Sequence, residues 1–139
     1  MRRRASFGFF IVWTVFVWGN RISNALNSDE STGGKVFSVV LSLVMLAFAL
    51  SVAIIWVRQR FTQLSESMVR VVTAAGVVTV LVWLVRIPQI ALGDHDAGFI
   101  IVHALLGVIS IVISVFMVRR ARADLEPLFP VPPVERAGN

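Results

Sequence analysis

Two arginines and a histidine stand inside apolar surroundings, and they are the residues with chemistry to offer. Arg21 and Arg86 each end the same pattern, Thr-x3-Trp-x2-Arg-Ile, running Thr14, Trp18, Arg21 and Thr79, Trp83, Arg86. Steps of four and three return to one face of a helix, so each threonine, tryptophan and arginine align. A guanidinium carries a fixed charge and five donors, which is the chemistry of anion recognition. His103 adds a group that exchanges a proton near neutral pH. Arg86 lies eight residues before Asp94 and His103 seven after Asp96, so a simple helical hairpin sets the two at similar depth. Asn20, Asn24 and Gln89 supply further hydrogen-bonding groups at that level. The candidate ligand-binding set is therefore Arg21, Arg86, His103, Asn24 and Gln89.

A structural alternative accompanies each of these. An arginine at the centre of a membrane span costs about 2.5–3.5 kcal/mol by insertion scales, but one or two turns below the boundary a long side chain snorkels to headgroups. It can also meet Asp29, Glu30, Asp94 or Asp96. Trp18 and Trp83 fit an interfacial aromatic belt better than a stacking platform. His103, Gly107, Ser110 and Ser114 recur at steps of four, three and four, a face of small residues suited to close helix packing with a histidine at its end. Ser38 with Ser42, and Ala49 with Ala53, offer matching positions on the second span, predicting that the second and fourth spans pack together. Whether the arginines point into the bundle or out to lipid decides between the two readings.

Other chemistry is not supported. Without cysteine there is no disulfide, thiolate nucleophile or cysteine-ligated metal. The second histidine, His95, falls in a loop of the same hairpin as His103, which does not suit a bis-histidine haem. No HExxH, phosphate-binding glycine loop or nucleophile elbow is present, Gly33-Gly34 reads as a loop pair, and Ser110 and Ser114 have no adjacent base. No enzyme, metal or cofactor is expected.

The elements that must position the polar residues are membrane spans. Of 139 residues, 57% are hydrophobic and 15% charged, against about 25% charged in an ordinary soluble domain. The formal charge of +5 resides in short clusters beside apolar runs rather than in a stripe, which argues against nucleic acid. The first span begins near Phe7 and fades toward Leu26; no small-x-small cleavage pattern follows it, so it reads as a span rather than a signal peptide. Asn27 to Gly34 turns the chain, and Lys35 to Val57 is the second span. Gln59 to Ser67 connects the hairpins and is amphipathic enough to lie along a membrane surface. Met68 to Leu92 is the third span, with a kink or early end expected at Pro88. Ala97 to Val118 is the fourth. The divisions are thus a first hairpin (1–60), a connection (61–67), a second hairpin (68–122) and a Pro-rich, disordered tail (123–139). Arginines cluster at the start, the middle connection and the end of the last span, so the positive-inside rule places both termini in the cytoplasm.

The hairpins also resemble each other. At an offset of 65, seven of the eleven positions 12–22 agree; at an offset of 62, Phe37/Phe99, Val40/Val102, Leu43/Leu105, Arg58/Arg120 and Arg60/Arg122 agree. Units of two spans repeat in the same orientation, so this is a parallel duplication. The expected fold is an all-α membrane protein of four transmembrane helices, built as two tandem hairpins in the cytoplasmic membrane. Trp83-x4-Pro88 followed by Phe99-x2-Val102-His103-x2-Leu106 resembles the pattern of small actinobacterial membrane proteins of uncharacterised function. That resemblance covers mainly the second hairpin, about a third of the chain; it implies a multi-pass inner-membrane protein and transfers no activity. The leading functional expectation is a non-enzymatic accessory, assembly or stabilising subunit that packs with a larger membrane complex or with itself. The alternative is a small oligomeric transporter or channel with an outward-facing anion or headgroup site. The partners expected are the lipid bilayer and a membrane protein or a second copy.

Overall fold

The computed structural model of the protein describes residues 5–28, 31–58 and 65–124. They form four helices, α1 (Ala5–Asn27), α2 (Thr32–Arg58), α3 (Glu66–Ala91) and α4 (Ala97–Ala123), with no strand among the described residues. At about 1.5 Å per residue each exceeds the roughly 30 Å of a hydrocarbon core, and each is apolar enough to cross a membrane. The chain is an all-α, multi-pass membrane protein.

Side-chain size is distributed as a lipid-soluble bundle requires. Buried positions include Ser6, Thr14, Ser38, Ser42, Ala49, Ala75, Thr79, Ser110, Ser114 and Ala121, whereas Phe9, Val12, Leu43, Leu50, Leu81, Ile101 and Val112 are exposed. Lipid accepts the large apolar side chains, so burying them brings little gain; small residues inside let backbones approach and gain dispersion contacts. Two glycines mark the closest approach of α3 and α4. A Cβ on Gly76 would collide with Val118, and one on Gly107 would fall 2.6 Å from both Trp83 Cε3 and Ile87 Cδ1.

Neighbours in sequence are neighbours in space: α1 packs most extensively on α2, and α3 on α4. Lesser seams, α1 with α4 and α2 with α3, close the ring. The predicted packing of the second span on the fourth is therefore corrected, because α2 and α4 lie on a diagonal. Ser38 faces α1, through a hydrogen bond with Arg21, and Ser110 also faces α1, through Trp13. Small residues were needed for the adjacent seams instead.

The two ends of the bundle differ. At the end bearing the chain termini, all four helices contribute to one apolar core comprising Phe7, Phe10, Val52, Ile55, Val69, Val72, Ala75, Met117 and Ala121. At the opposite end, where the two hairpins turn, no comparable core forms among the described residues, and a cleft lined by both polar and apolar side chains takes its place. We refer to these as the terminal end and the loop end.

Helix boundaries depart from the apolar runs where capping groups extend them. Helix α2 starts at Thr32 rather than Lys35 because Ser31 caps it: its side chain accepts from Gly34 N at 3.3 Å, and its carbonyl accepts from Lys35 N at 3.0 Å. Gly33 and Gly34 are helical, not a loop pair. Ser65 likewise starts α3 at Glu66, accepting from Met68 N, with Glu66 paired to Arg70 at 2.6 Å. Asp96 caps α4 through Phe99 N at 3.0 Å. Helix α4 runs on past Val118, its last turn carrying Arg120 and Arg122 where the helix dipole favours cations.

Pro88 does not end α3, which continues to Ala91. Placed in the last turn, the proline removes a single ladder bond, while its own carbonyl accepts from Leu92 N at 2.9 Å. The surface segment expected over 59–67 falls largely, and the Pro-rich tail beyond Asp124 wholly, outside the described residues.

Candidate functional site

The loop-end cleft has a volume of about 370 Å³, within the range of small-ligand sites. It lies along the seam between α1 and α4. Phe16, Asn20 and Asn24 line it from α1, and Phe99, Val102, His103 and Leu106 from α4; Trp18, Trp83, Arg21, Arg86 and Ser38 form its interior. Four of the five sequence-predicted ligand residues, Arg21, Asn24, Arg86 and His103, are thereby brought to one cavity. Gln89 is not. It is exposed and absent from the lining, because Trp83, Arg86 and Ile90 define the inward face of α3 and Gln89 stands about a quarter-turn away from it.

One turn below the cleft, Trp13 Nε1 donates to Ser110 Oγ at 2.8 Å, and that hydroxyl donates in turn to Leu106 O at 2.7 Å. This bond ties α1 to α4. Above it the cleft lies between these two helices, with Ser38 of α2 and Trp83, Arg86 and Ile90 of α3 completing its lining.

The floor rests on the tryptophans. Trp18 and Trp83 are 3% and 5% exposed, and their rings meet at 6.3 Å with planes at 53°. The expected aromatic belt at the lipid surface is therefore corrected. Both rings turn inward, and Gly107 provides the space for Trp83. Thr14 and Thr79, one turn earlier, are buried as well.

The guanidiniums turn inward too. Arg21 is half-buried; its Nη2 donates to Ser38 Oγ at 3.0 Å, while its buried Nε has no partner among the described residues. Ser38, expected only as a small packing residue, is thus also an acceptor, held by Ser42 Oγ donating to its carbonyl at 2.7 Å. Arg86 is half-buried and makes no hydrogen bond or ion pair with a described residue. The indole N–H of Trp83 is buried and likewise unpartnered. No carboxylate among the described residues pairs with either arginine, and Asp96, the N-cap of α4, accepts from Phe99 N.

His103 Nδ1 lies 2.8 Å from Phe99 O. A carbonyl only accepts, so Nδ1 carries the proton, and Nε2 is left as an acceptor in the neutral ring. Phe99 packs on this imidazole at 3.9 Å between centroids and on His95 at 4.6 Å. The cleft walls Phe99, Val102 and Leu106 were not assigned a role from sequence. Their spacing with His103, at i, i+3, i+4 and i+7, is the signal that one helix face carries them all.

The arrangement is a mainly apolar pocket into which two guanidiniums, an imidazole and two amides are set. Among the described residues no group of three His, Asp or Glu side chains is placed to hold a metal ion. These features define a class, a four-helix membrane protein with a cationic cleft at one end of the bundle. No family model, curated protein or solved structure matches the chain.

Proposed function

We propose that the chain is a non-enzymatic protein of the cytoplasmic membrane that holds an anionic group in the loop-end cleft. The observation that carries this reading is the pair of half-buried guanidiniums, joined by the Trp83 N–H, on a cavity without a carboxylate partner among the described residues. An uncompensated charge or donor in a low-dielectric site is costly. An anion accepting from Arg21, Arg86 and Trp83 offsets that cost with charge-assisted hydrogen bonds.

Orientation follows from charge. With both termini and the arginine-rich connection in the cytoplasm, the cleft opens outward. Parallel duplication accounts for two arginines at one site, since related copies about an axis normal to the membrane bring Trp18 to Trp83. Held this way, the protein either retains its anion or passes it on as a small oligomeric transporter. Thermal unfolding of the purified chain in titrations with phosphate, sulfate and chloride tests binding, and liposome flux tests transport. Stabilisation by one of these anions that disappears in Arg86→Leu supports the reading; indifference of the wild-type protein to all of them, and to anionic lipid, refutes it.

A second reading, an accessory subunit packing with a larger complex or with itself, is favoured by a separate observation. Gly76, Val80, Ser114 and Val118 line a shallow, largely apolar groove between α3 and α4, with Arg119 at its edge. Its small floor suits the side chains of another transmembrane helix. Purification in mild detergent tests it: recovery solely as a monomer, with no partner and no self-association, counts against it.

A further inference from the structure

Resting on the anion-binding reading, we propose that the occupant is the phosphate headgroup of an anionic membrane lipid, which enters sideways from the bilayer between α1 and α4. Three observations converge on this. The cleft reaches the α1–α4 seam, where Phe16 and Val102 line it from exposed positions, with Ser38 of α2 and Trp83, Arg86 and Ile90 of α3 behind them and the Trp13–Ser110 bond one turn deeper. The outward-facing rim carries large apolar side chains beside amides: Phe16 and Val102 are 56% and 53% exposed while also lining the cavity, next to the exposed Asn20 and Asn24. Lipid tails are the natural neighbours of such a rim.

The polar groups of the cleft gather toward the loop end, where Asn24, Arg21, Arg86 and His103 stand among apolar Ala25, Ile90 and Phe99; one to two turns deeper the lining is Phe16, Val17, Trp18 and Leu106. A free inorganic anion needs only the upper part. An amphiphile uses both, with phosphate oxygens accepting from the guanidiniums and Trp83 Nε1, and the glycerol-linked chain starts running down across Leu106. The cavity, at about 370 Å³, holds a headgroup and not a whole lipid, so the acyl chains leave over Phe16 and Val102 into the bilayer.

The unpartnered indole is the most telling group. Trp83 is nearly fully buried, lines the cavity and is fixed against Gly107 and Trp18, yet its N–H has no acceptor among the described residues. Buried tryptophan N–H groups usually find one. Because the N–H itself is buried, phosphate oxygens would supply an acceptor through a small shift of the Trp83 ring toward the cleft.

The test uses the full chain in mild detergent, with bound species counted by native mass spectrometry. The probes are phosphatidylglycerol, phosphatidylcholine of the same acyl chains, and soluble glycerol 3-phosphate. We expect one phosphatidylglycerol per chain, bound at least roughly tenfold more tightly than either other probe, and about tenfold weaker binding in each of Arg21→Gln and Arg86→Gln, as loss of one charge-assisted hydrogen bond predicts. Val102→Trp fills the lateral mouth from an exposed position and should weaken lipid binding by a similar factor, whereas Leu105→Trp, exposed on the same helix but outside the cleft, should not. Helical circular dichroism and a single elution peak establish that each variant is folded, and the Val102 and Leu105 pair decides the matter even where an arginine variant does not fold. Glycerol 3-phosphate binding as tightly as the lipid, or lipid binding unaltered by Val102→Trp, overturns lateral lipid entry and leaves the anion site standing. Absence of binding by any probe, or binding insensitive to both arginine variants, overturns the anion site as well.

Discussion

Gly107→Ala tests whether the floor of the cleft is built by close packing of α3 on α4. An added Cβ would lie 2.6 Å from Trp83 Cε3 and from Ile87 Cδ1, and 3.0 Å from Ile87 Cγ1, whereas carbon atoms rest at about 3.5–4.0 Å. Something must move by about 1 Å. Ile87 can rotate its terminal carbon at a cost of about 0.5–1.5 kcal/mol, but the Trp83 ring is rigid and backed by Trp18. Overpacking of this kind costs about 1–3 kcal/mol. Against it stands the helix preference of alanine over glycine, about 0.8–1.0 kcal/mol in aqueous hosts. Gly19→Ala removes the second term from the comparison, because Gly19 is helical and exposed, with no atom within 4 Å of an added Cβ. Gly107→Ala should therefore be about 1–3 kcal/mol less stable than Gly19→Ala. The measurement is reversible unfolding in mixed micelles followed by circular dichroism. Equal stability of the two variants would falsify the close contact, and with it the account of how Trp83 is held. A weaker anion or lipid affinity in Gly107→Ala, at unchanged helicity, would show that displacing Trp83 reaches the site.

Other perturbations address single links. Trp13→Phe removes the donor of the α1–α4 bond while Ser110 keeps its bond to Leu106, so stability should fall by about 0.5–1.5 kcal/mol; a double-mutant cycle with Ser110→Ala should show coupling, and strict additivity would deny the bond. Asp96→Ala strips the cap of α4 and should cost about 0.5–2 kcal/mol of stability in the same unfolding assay, whereas Asp96→Asn should keep most of it. Gly76→Leu places a branched side chain against Val118 and should destabilise by more than about 1 kcal/mol, an effect that Val118→Ala in the same chain should partly relieve; no relief would relocate the clash.

Much of the fold was legible because lipid imposes simple rules. Four long apolar runs bounded by arginines specify four spans, and a short turn makes each pair antiparallel neighbours, as α1–α2 and α3–α4 are. Boundaries were less accessible. Hydropathy ends where polar residues begin, but a helix ends where its backbone groups find other partners, and Ser31, Ser65 and Asp96 provide those partners inside segments that hydropathy assigns to turns or loops. The depth of Arg21, Asn24, Arg86 and His103 could be counted from the hairpin turns. Their direction could not, because a span is apolar toward lipid and toward its neighbours alike, so hydrophobic periodicity leaves the inward face undefined. Trp18 and Trp83 show the same gap: tryptophan at that depth fits an interfacial belt, and what buries these two is space left by Gly107 on another helix for Trp83 and the contact of Trp18 with that ring.

Placing the core at one end and the cleft at the other reconciles a small bundle with a costly polar site. Phe7, Phe10, Val52, Val72 and Met117 interlock all four helices at the terminal end, so the loop end needs no apolar core shared by all four. There the first hairpin is tied by Arg21 to Ser38, the second by close packing of Gly107 on Trp83 and Ile87, and the two by Trp13 to Ser110 one turn below the cleft. Separation of α1 from α4 above Ser110 then leaves the distant core intact. A ligand that draws the seam together gains its full interaction with Arg21, Arg86 and Trp83 without repacking Phe7 or Met117, and one that pries it wider meets resistance first at the Trp13–Ser110 bond. That bond, rather than the arginines, sets how far the cleft can open, so Trp13→Phe should alter the size of ligand admitted more than the preference for an anion.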